Sequence, residues 1–307
     1  MPKIPQALHE GSHIRIVATA GRVDAARLEL GLTTLSKRGY RVTLGEHVFH
    51  QWGYLAGQDQ DRAQDLMDAI LDDTVDAIFL ARGGWGSTRT FPYLDRLDWN
   101  QVRPKIILGY SDITALHLYF QGRYDWVTFH GPIAEMDWST QNGDDALQLL
   151  TGGYGPIGDT ALEPMNSWTP DHMENTSWTG GNLSLVAESL GTPYAVQPRG
   201  KILYLEEVNE PIYRIDRMMT HLWLSGALLA AKGVVFGEAT QCDPPKDIME
   251  YTAAHVVRDI CQRARIPLWW GLPAGHGPRK VTVPLGIDLS IKDHQVWLEQ
   301  PAVTANG

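Results

Sequence analysis

The alternation of short apolar runs with helical runs constrains the fold of this chain most strongly. Residues 14–18, 76–81 and 106–108 are apolar runs of strand length, and residues 61–71 carry apolar side chains at helical spacing. Strands that alternate with helices form parallel β/α units, so we predict an α/β N-terminal domain. Ligands of such sheets bind beyond the carboxyl ends of the strands, which directs attention to the residues that follow each strand.

The length and a change in composition predict two domains. A chain of 307 residues exceeds one typical core. Residues 151–181 are rich in Gly, Pro, Ser, Thr and Trp and show no hydrophobic period, which is typical of a connection. We therefore predict an N-terminal domain at 1–150, a linker at 151–181 and a C-terminal domain at 182–307. Apolar runs with a turn at 292–294 predict that the second domain is a smaller α/β domain with mixed or antiparallel strands.

Charge and cysteine content exclude several classes of protein. The formal net charge of −10 argues against nucleic acid or an anionic membrane as the main partner. The two cysteines have neither metal-site spacing nor a disulfide framework. Residues 1–20 show no basic segment followed by a long apolar one, so the expected location is the cytoplasm.

Ser111 lies where a buried strand passes directly into a helix. The apolar run 106–108 is followed by Gly109, Tyr110 and Ser111, and helical spacing begins at Asp112. A nucleophile elbow presents a serine Oγ on such a turn, with helical amides facing incoming negative charge. A serine before a helix is also the commonest N-cap, and this stretch alone favours the cap.

A glycine-rich loop follows the strand at 76–81. Its sequence, Arg-Gly-Gly-Trp-Gly at 82–86, allows backbone amides to approach a phosphate or an oxyanion. It is neither a Walker loop nor a dinucleotide fingerprint, and taken alone it is better explained as a tight strand-to-helix turn. If its amides lie near Ser111, the loop supplies half of an oxyanion hole.

A catalytic serine needs a base and an acid, and the sequence offers several candidates. His130 follows a strand, and His276 lies between two glycines in a loop, where packing gives little reason for an imidazole. His117 lies about two helical turns beyond Ser111 and should point away from it. Glu206 and Glu207 end one strand, and its two-residue period places them on opposite faces without selecting either.

Together these features resemble the LD-carboxypeptidase family, serine peptidases that include muramoyltetrapeptide carboxypeptidases and microcin C immunity peptidases. Six motifs in the same order carry the resemblance across nearly the whole chain. They lie at 82–86, 109–112, 130–132, 180–183, 205–211 with 213–214, and 275–277.

The resemblance implies a catalytic triad of Ser111, Glu206 and His276, and thereby selects between the two glutamates. It implies an oxyanion hole formed by the amides of Gly84 and Asp112, with the serine in the first domain and the other triad members in the second. It also implies a homodimer. The segment around Ser111 lacks the second glycine of Gly-x-Ser-x-Gly and is therefore no evidence for the α/β-hydrolase fold.

By this resemblance we expect a cytoplasmic serine LD-carboxypeptidase that releases terminal D-alanine from murein tetrapeptides during peptidoglycan recycling. The expected mechanism needs neither metal nor cofactor. Arg82 and Arg214 are candidates for the substrate carboxylate, although either could form a structural ion pair. One alternative is a microcin C immunity-type peptidase acting on aminoacyl-nucleotide conjugates, with Trp85 stacking on a base. A more remote one is a non-enzymatic module whose 83–86 loop holds an anion.

Overall fold

The computed structural model describes residues 1–245 and 250–305 and divides them into two compact units. Unit 1 contains Met1–Gly153 and the end of the chain from Pro301. Unit 2 is Tyr154–Gln300.

Unit 1 is built on parallel strands. They are β1 (His13–Val17), β2 (Arg41–Leu44), β3 (Ala77–Leu80), β4 (Ile106–Gly109) and β5 (Thr128–His130). These strands lie side by side in the order β5-β4-β3-β1-β2, each parallel to its neighbour. Every residue of β3 and β4 is buried, which explains why the sequence shows continuous apolar runs there rather than alternation.

Helices connect these strands, with short 3₁₀ turns at Ser87–Thr90, Trp99–Gln101 and Ser111–Ile113. The helices are α1 (Ala25–Lys37), α2 (Asp59–Leu71), α3 (Phe91–Leu94), α4 (Thr114–Tyr124) and α5 (Gln141–Leu150). Asp24 caps α1, because its carboxylate accepts the amides of Ala26 and Arg27 at 3.0 and 3.1 Å.

Unit 2 contains a mixed sheet. Its strands are β6 (Gly155–Pro156), β7 (Glu163–Pro164), β8 (Met173–Asn182), β9 (Ile202–Val208), β10 (Gly233–Thr240), β11 (Leu268–Trp270), β13 (Asp288–Lys292) and β14 (Gln295–Leu298), and the short strand β12 (Val283–Leu285) of unit 2 lies outside this sheet. The helices are α6 (Leu183–Ser189), α7 (Ile212–Leu224), α8 (Ala227–Ala230) and α9 (Ala253–Ala264). The sheet order is β6-β14-β13-β8-β9-β10-β11-β7. Strands β8 to β11 pair in parallel and the outer strands pair antiparallel, so the predicted fold class is confirmed.

The segment 151–181, expected to be a linker, instead contributes strands to the sheet of unit 2. It contains β6, β7 and nearly all of β8, and β8 pairs with β9 on one side and β13 on the other. Gly180, at φ +124°, lies so close to the Tyr204 carbonyl that a side chain would clash with it. The glycines of β8 interrupt the apolar alternation that marks a strand, and the strands that stabilise β8 are distant in sequence. The sequence of this segment alone therefore does not predict a strand.

Within residues 1–245 and 250–305, no helix is both long and apolar enough to span a bilayer.

Candidate active site

Ser111 follows β4 in a backbone conformation that is uncommon for a residue with a side chain. Its φ is +64°, directly after Tyr110 in extended conformation. Non-glycine residues in this left-handed region are strained, and such strain concentrates at functional turns, including nucleophile elbows. An N-cap has extended backbone, and here that position before the 3₁₀ turn is occupied by Tyr110. Ser111 therefore does not have the backbone conformation of an N-cap.

The glycine-rich loop after β3 packs directly against Ser111. A Cβ on Gly83 would lie 2.7 Å from Ser111 Cβ and 2.9 Å from its Oγ. Gly84 has φ +112° and approaches the backbone of Gly21, to which a Cβ would lie within 3.3 Å. Close approach to the serine therefore requires glycine at 83, and the backbone turn requires it at 84.

The two amides expected to form an oxyanion hole are not used by backbone hydrogen bonds. Neither Gly84 N nor Asp112 N has a backbone acceptor in the part of the chain that the structure describes. The Asp112 side chain is fully buried and accepts the Ser87 amide at 2.8 Å. Burial raises the pKa of the Asp112 carboxyl, although the hydrogen bonds that this carboxyl accepts act to lower it. Asp112 thus connects the serine turn to the end of the glycine-rich loop.

A buried arginine holds the same loop from α2. Arg62 donates to the carbonyl oxygens of Thr19 and Gly86 and pairs with Asp59. Its side chain has no exposed surface. Sequence reasoning missed this role, and also that of the Asp112 side chain, because neither residue belongs to a motif whose spacing reveals its partners.

In unit 2, the predicted acid and base are hydrogen-bonded to each other. His276 Nδ1 lies 2.8 Å from Glu206 Oε2, the Glu206 side chain is fully buried, and His276 is 16% exposed. A carboxylate on Nδ1 fixes the imidazole orientation and the tautomer whose Nε2 can accept a proton. The pair therefore has the arrangement of a general base with its orienting acid.

Glu207 has a structural role instead. Its carboxylate accepts Asn182 Nδ2, the Ser184 amide, Ser184 Oγ and the Val208 amide, at 2.7–3.0 Å. Burial raises the pKa of the Glu207 carboxyl. The two glutamates face opposite ways, as strand periodicity predicts, and both are buried.

The glycines on both sides of His276 make room for carboxylates. A Cβ on Gly275 would lie 2.6 Å from Glu206 Oε2, and one on Gly277 would clash with the Glu238 carboxylate. Glu238 Oε2 accepts the Gly277 amide at 2.9 Å, and burial raises the Glu238 pKa. Sequence reasoning missed Glu238. The sequence feature that could have revealed Glu238 is the glycine directly before it in β10, because a glycine inside a strand often marks a bulge. The register shift between Phe236 and Ala239 shows such a bulge.

Two of the three substrate-binding candidates share a pocket of about 570 Å³ in unit 1. Arg82 and Trp85 line it together with Gly84, Arg22 and Tyr54. The guanidinium of Arg82 donates to the Arg22 carbonyl at 3.1 Å, and the rings of Tyr54 and Trp85 are 6.5 Å apart. Two arginines and two aromatic rings beside Gly84 suit an anionic group attached to a larger organic body. Arg22 was not identified from the sequence.

Arg214, the third candidate, lines a pocket of about 470 Å³ formed by unit 2 residues alone. It pairs at 3.1 Å with Glu210, four residues earlier and just before α7 begins. This contact is the structural ion pair that the sequence left open as its alternative role.

The remaining histidine candidates belong to the core of unit 1. His117 is fully buried, and its Nε2 lies 2.9 Å from the Gly109 carbonyl oxygen. Burial lowers the pKa of His117 to about 4. His130 is buried at the end of β5, with its ring 6.3 Å from that of Tyr110.

Two protein-family models match this chain, one in its N-terminal half and one in its C-terminal half. The model of the LD-carboxypeptidase N-terminal domain matches residues 14–131, and that of the LD-carboxypeptidase C-terminal domain matches residues 176–291. A probable murein peptide carboxypeptidase of Bacillus subtilis (strain 168) is 35% identical over 291 residues, covering 92% of this chain and 89% of that protein.

Solved structures extend the similarity to the fold. The muramoyltetrapeptide carboxypeptidase from Oxalobacter formigenes is 26% identical, with a TM-score of 0.78 over 93% of this chain and 97% of that one. A structure of MccF in complex with glutamyl sulfamoyl guanosine has a TM-score of 0.86 over 99% of this chain and 100% of that one. At 20% identity, the MccF comparison speaks for the fold alone.

Proposed function

This chain belongs to the LD-carboxypeptidase family, and we propose that it is a serine carboxypeptidase with Ser111 as its nucleophile. The observation that carries the proposal is the left-handed backbone of Ser111 with Gly83 packed against its side chain. A helix cap requires neither feature, whereas a nucleophile presented on a sharp turn uses both.

We assign the base and the acid to His276 and Glu206. As Ser111 Oγ attacks the terminal peptide carbonyl carbon, His276 Nε2 takes the hydroxyl proton, and a C–O bond forms while the carbonyl π electrons move to oxygen. The Glu206 carboxylate, 2.8 Å from Nδ1, stabilises the imidazolium that results. Unit 1 thus supplies the nucleophile, and unit 2 supplies the proton-transfer pair.

The amides of Gly84 and Asp112 are the proposed donors to the oxyanion. Each such donor contributes on the order of 3 kcal/mol to transition-state stabilisation. When the tetrahedral intermediate collapses, the C–N bond breaks and His276 returns its proton to the leaving amine. Water, activated by the same imidazole, then hydrolyses the acyl-enzyme and regenerates Ser111.

The proposed substrate is a murein tetrapeptide, from which the enzyme releases terminal D-alanine. The names of the Bacillus subtilis and Oxalobacter formigenes relatives support this class of substrate. A carboxypeptidase must also recognise a free carboxylate, and Arg22 and Arg82 in the pocket beside Gly84 are suited to it. We place the activity in cytoplasmic recycling of peptidoglycan.

A second candidate is cleavage of aminoacyl-nucleotide conjugates. Tyr54 and Trp85 favour it, because two exposed aromatic rings in one pocket could stack on a base. The same rings can line a peptide site, so the murein substrate remains the first proposal.

The test is release of D-alanine from a purified muropeptide, followed for wild type, Ser111→Ala and Ser139→Ala. Ser139 is an exposed serine of unit 1 whose hydroxyl donates a hydrogen bond to Asp137, and Ser139→Ala is the matched control. We expect wild-type activity in the control and loss of turnover in Ser111→Ala. Undiminished activity of Ser111→Ala would refute the nucleophile. Offering an aminoacyl-sulfamoyl nucleoside to the same wild-type preparation decides between the two substrate classes.

We also propose that the protein is a homodimer, as the family resemblance implies. Large apolar side chains exposed on α7 and α8 of unit 2 support this, with Leu224 at 77% and Leu229 at 57% exposure. Light scattering during gel filtration should give twice the chain mass, and Leu224→Glu should reduce it.

A further inference from the structure

A cluster of two histidines and an aspartate lies in unit 1 outside the proposed catalytic machinery. One possible ligand atom from each of His47, His50 and Asp61 lies within 4.8 Å of the other two. His50 Nδ1 is 3.7 Å from Asp61 Oδ2, and the two imidazole rings meet edge to face with centroids 4.8 Å apart. His47 and Asp61 are half-buried, whereas His50 is exposed.

Local structure brings these side chains together. After β2 the chain forms a turn in which the His50 amide donates to the His47 carbonyl at 2.8 Å, so both imidazoles leave the same turn. Asp61 lies in the first turn of α2. The cluster therefore joins the segment after β2 to the beginning of a helix.

A second carboxylate on α2 fixes His47. Asp65, only 3% exposed, accepts the His47 backbone amide at 2.9 Å and its Nδ1 at 2.7 Å. Gly45 leaves the space for it, because a Cβ there would lie 2.7 Å from Asp65 Cγ. Asp61 and Asp65 are four residues apart and hence on one face of the helix. Metal-binding histidines commonly donate their other ring nitrogen to such a carboxylate, so coordination by His47 would use Nε2.

We propose that His47, His50 and Asp61 bind a zinc-like divalent transition metal, with water as the fourth ligand. Two imidazoles and a carboxylate suit zinc, whereas magnesium and calcium prefer oxygen alone. Ligand atoms in a tetrahedral site with bonds near 2.0 Å are separated by roughly 3.3 Å. The 3.7 Å between His50 and Asp61 is close to that separation, and the largest separation in the cluster, 4.8 Å, must shorten by about 1.5 Å for all three side chains to bind one ion.

The position of the cluster indicates an ordering role rather than a catalytic one. The metal would tie the segment at His47 and His50 to α2. That segment leads to Gly53 and Tyr54, which line the pocket containing Arg82. Bound metal would thereby stabilise one wall of that pocket, and this inference does not depend on the proposed peptidase activity.

The test is zinc titration of the untagged full-length chain by calorimetry, after removal of metal with a chelator and dialysis. His50→Ala and Asp61→Asn are compared with His172→Ala. His172 is the matched control, since it is also exposed and also 3.7 Å from an aspartate, but it belongs to no such cluster among the described residues.

We expect one zinc ion per wild-type and His172→Ala chain, with binding at least about 10-fold weaker in the two cluster variants. Asp65→Asn should weaken binding by about 10- to 100-fold, as loss of a carboxylate behind a ligand usually does. Zinc should raise the thermal midpoint of wild type by more than that of His50→Ala, measured on chains whose metal-free circular dichroism spectra agree. No zinc binding by wild type, or equal binding by wild type and the cluster variants, would overturn the proposal.

Discussion

Replacement of Gly83 by alanine tests the reasoning about the serine turn most sharply. The new Cβ would lie 2.7 Å from Ser111 Cβ and 2.9 Å from Oγ, whereas carbon atoms in contact prefer about 3.5–4.0 Å. One of the two segments must therefore move by about 1 Å. Ser111 already has φ +64° and leaves a buried strand, so its position depends on this packing. A reacting atom displaced by 1 Å can slow catalysis by about 100-fold, equivalent to about 2.7 kcal/mol in the barrier.

We expect kcat/KM of Gly83→Ala for D-alanine release to fall by about 100-fold, with a folded chain by circular dichroism. Gly11→Ala is the control. Gly11 has φ +85° but no atom within 4 Å of its would-be Cβ, so alanine there should reduce stability by about 1–2 kcal/mol without affecting activity. Full activity of Gly83→Ala, or an equal loss in Gly11→Ala, would refute the packing argument.

Three further perturbations have definite expected outcomes. The buried His117 has a pKa of about 4 against 6.5 in the unfolded chain, so the stability it contributes is present above pH 6.5 and lost as the pH falls towards 4. Urea unfolding should show that the free energy of unfolding falls by about 3 kcal/mol between pH 6.5 and pH 4, and this fall should be absent in His117→Gln. Glu206→Gln should lower kcat by on the order of 10³- to 10⁴-fold with little change in the thermal midpoint. Glu207→Gln should chiefly lower the thermal midpoint, because the free energy of unfolding falls by about 1–3 kcal/mol. The reverse pattern in activity assays and melting curves would exchange the roles of the two glutamates. Burial raises the thiol pKa of Cys242 to about 11 and of Cys261 to about 12, so iodoacetamide at pH 8 should modify neither in the native protein and both in urea, as read by intact mass.

Features set by local sequence could be predicted from the sequence. The Asp24 cap depends on hydrogen bonds to amides two and three residues away. The turn between β13 and β14 falls at Asp293 and His294, both with positive φ, as the type I′ turn of a two-residue hairpin requires. The β/α alternation of unit 1 is visible because β3 and β4 are buried on both faces.

Features that depend on distant partners could not be predicted. Nearly all of β8 falls in the predicted linker, because its glycines, which pack against β9, give no local apolar signal. Arg62 acquires its role from two carbonyl groups, of Thr19 and Gly86, that only the folded chain brings to it.

The choice between Glu206 and Glu207 shows the limit of periodicity. The two-residue period places them on opposite faces, and the family resemblance, not the strand pattern, selected Glu206. The structure shows the physical distinction, because one carboxylate meets His276 while the other meets Asn182 and Ser184. Such partners are separated by tens of residues and are invisible to a local pattern.

Covalent labelling of Ser111 tests the central claim most directly. A serine-directed fluorophosphonate reacts with an activated serine nucleophile and not with one that only caps a helix. We predict one adduct per chain, mapped to Ser111 by peptide mass spectrometry, absent in Ser111→Ala and strongly slowed in Glu206→Gln. A preparation that releases D-alanine yet is labelled only at another residue, or is not labelled at all, would contradict the assignment of Ser111 as the nucleophile.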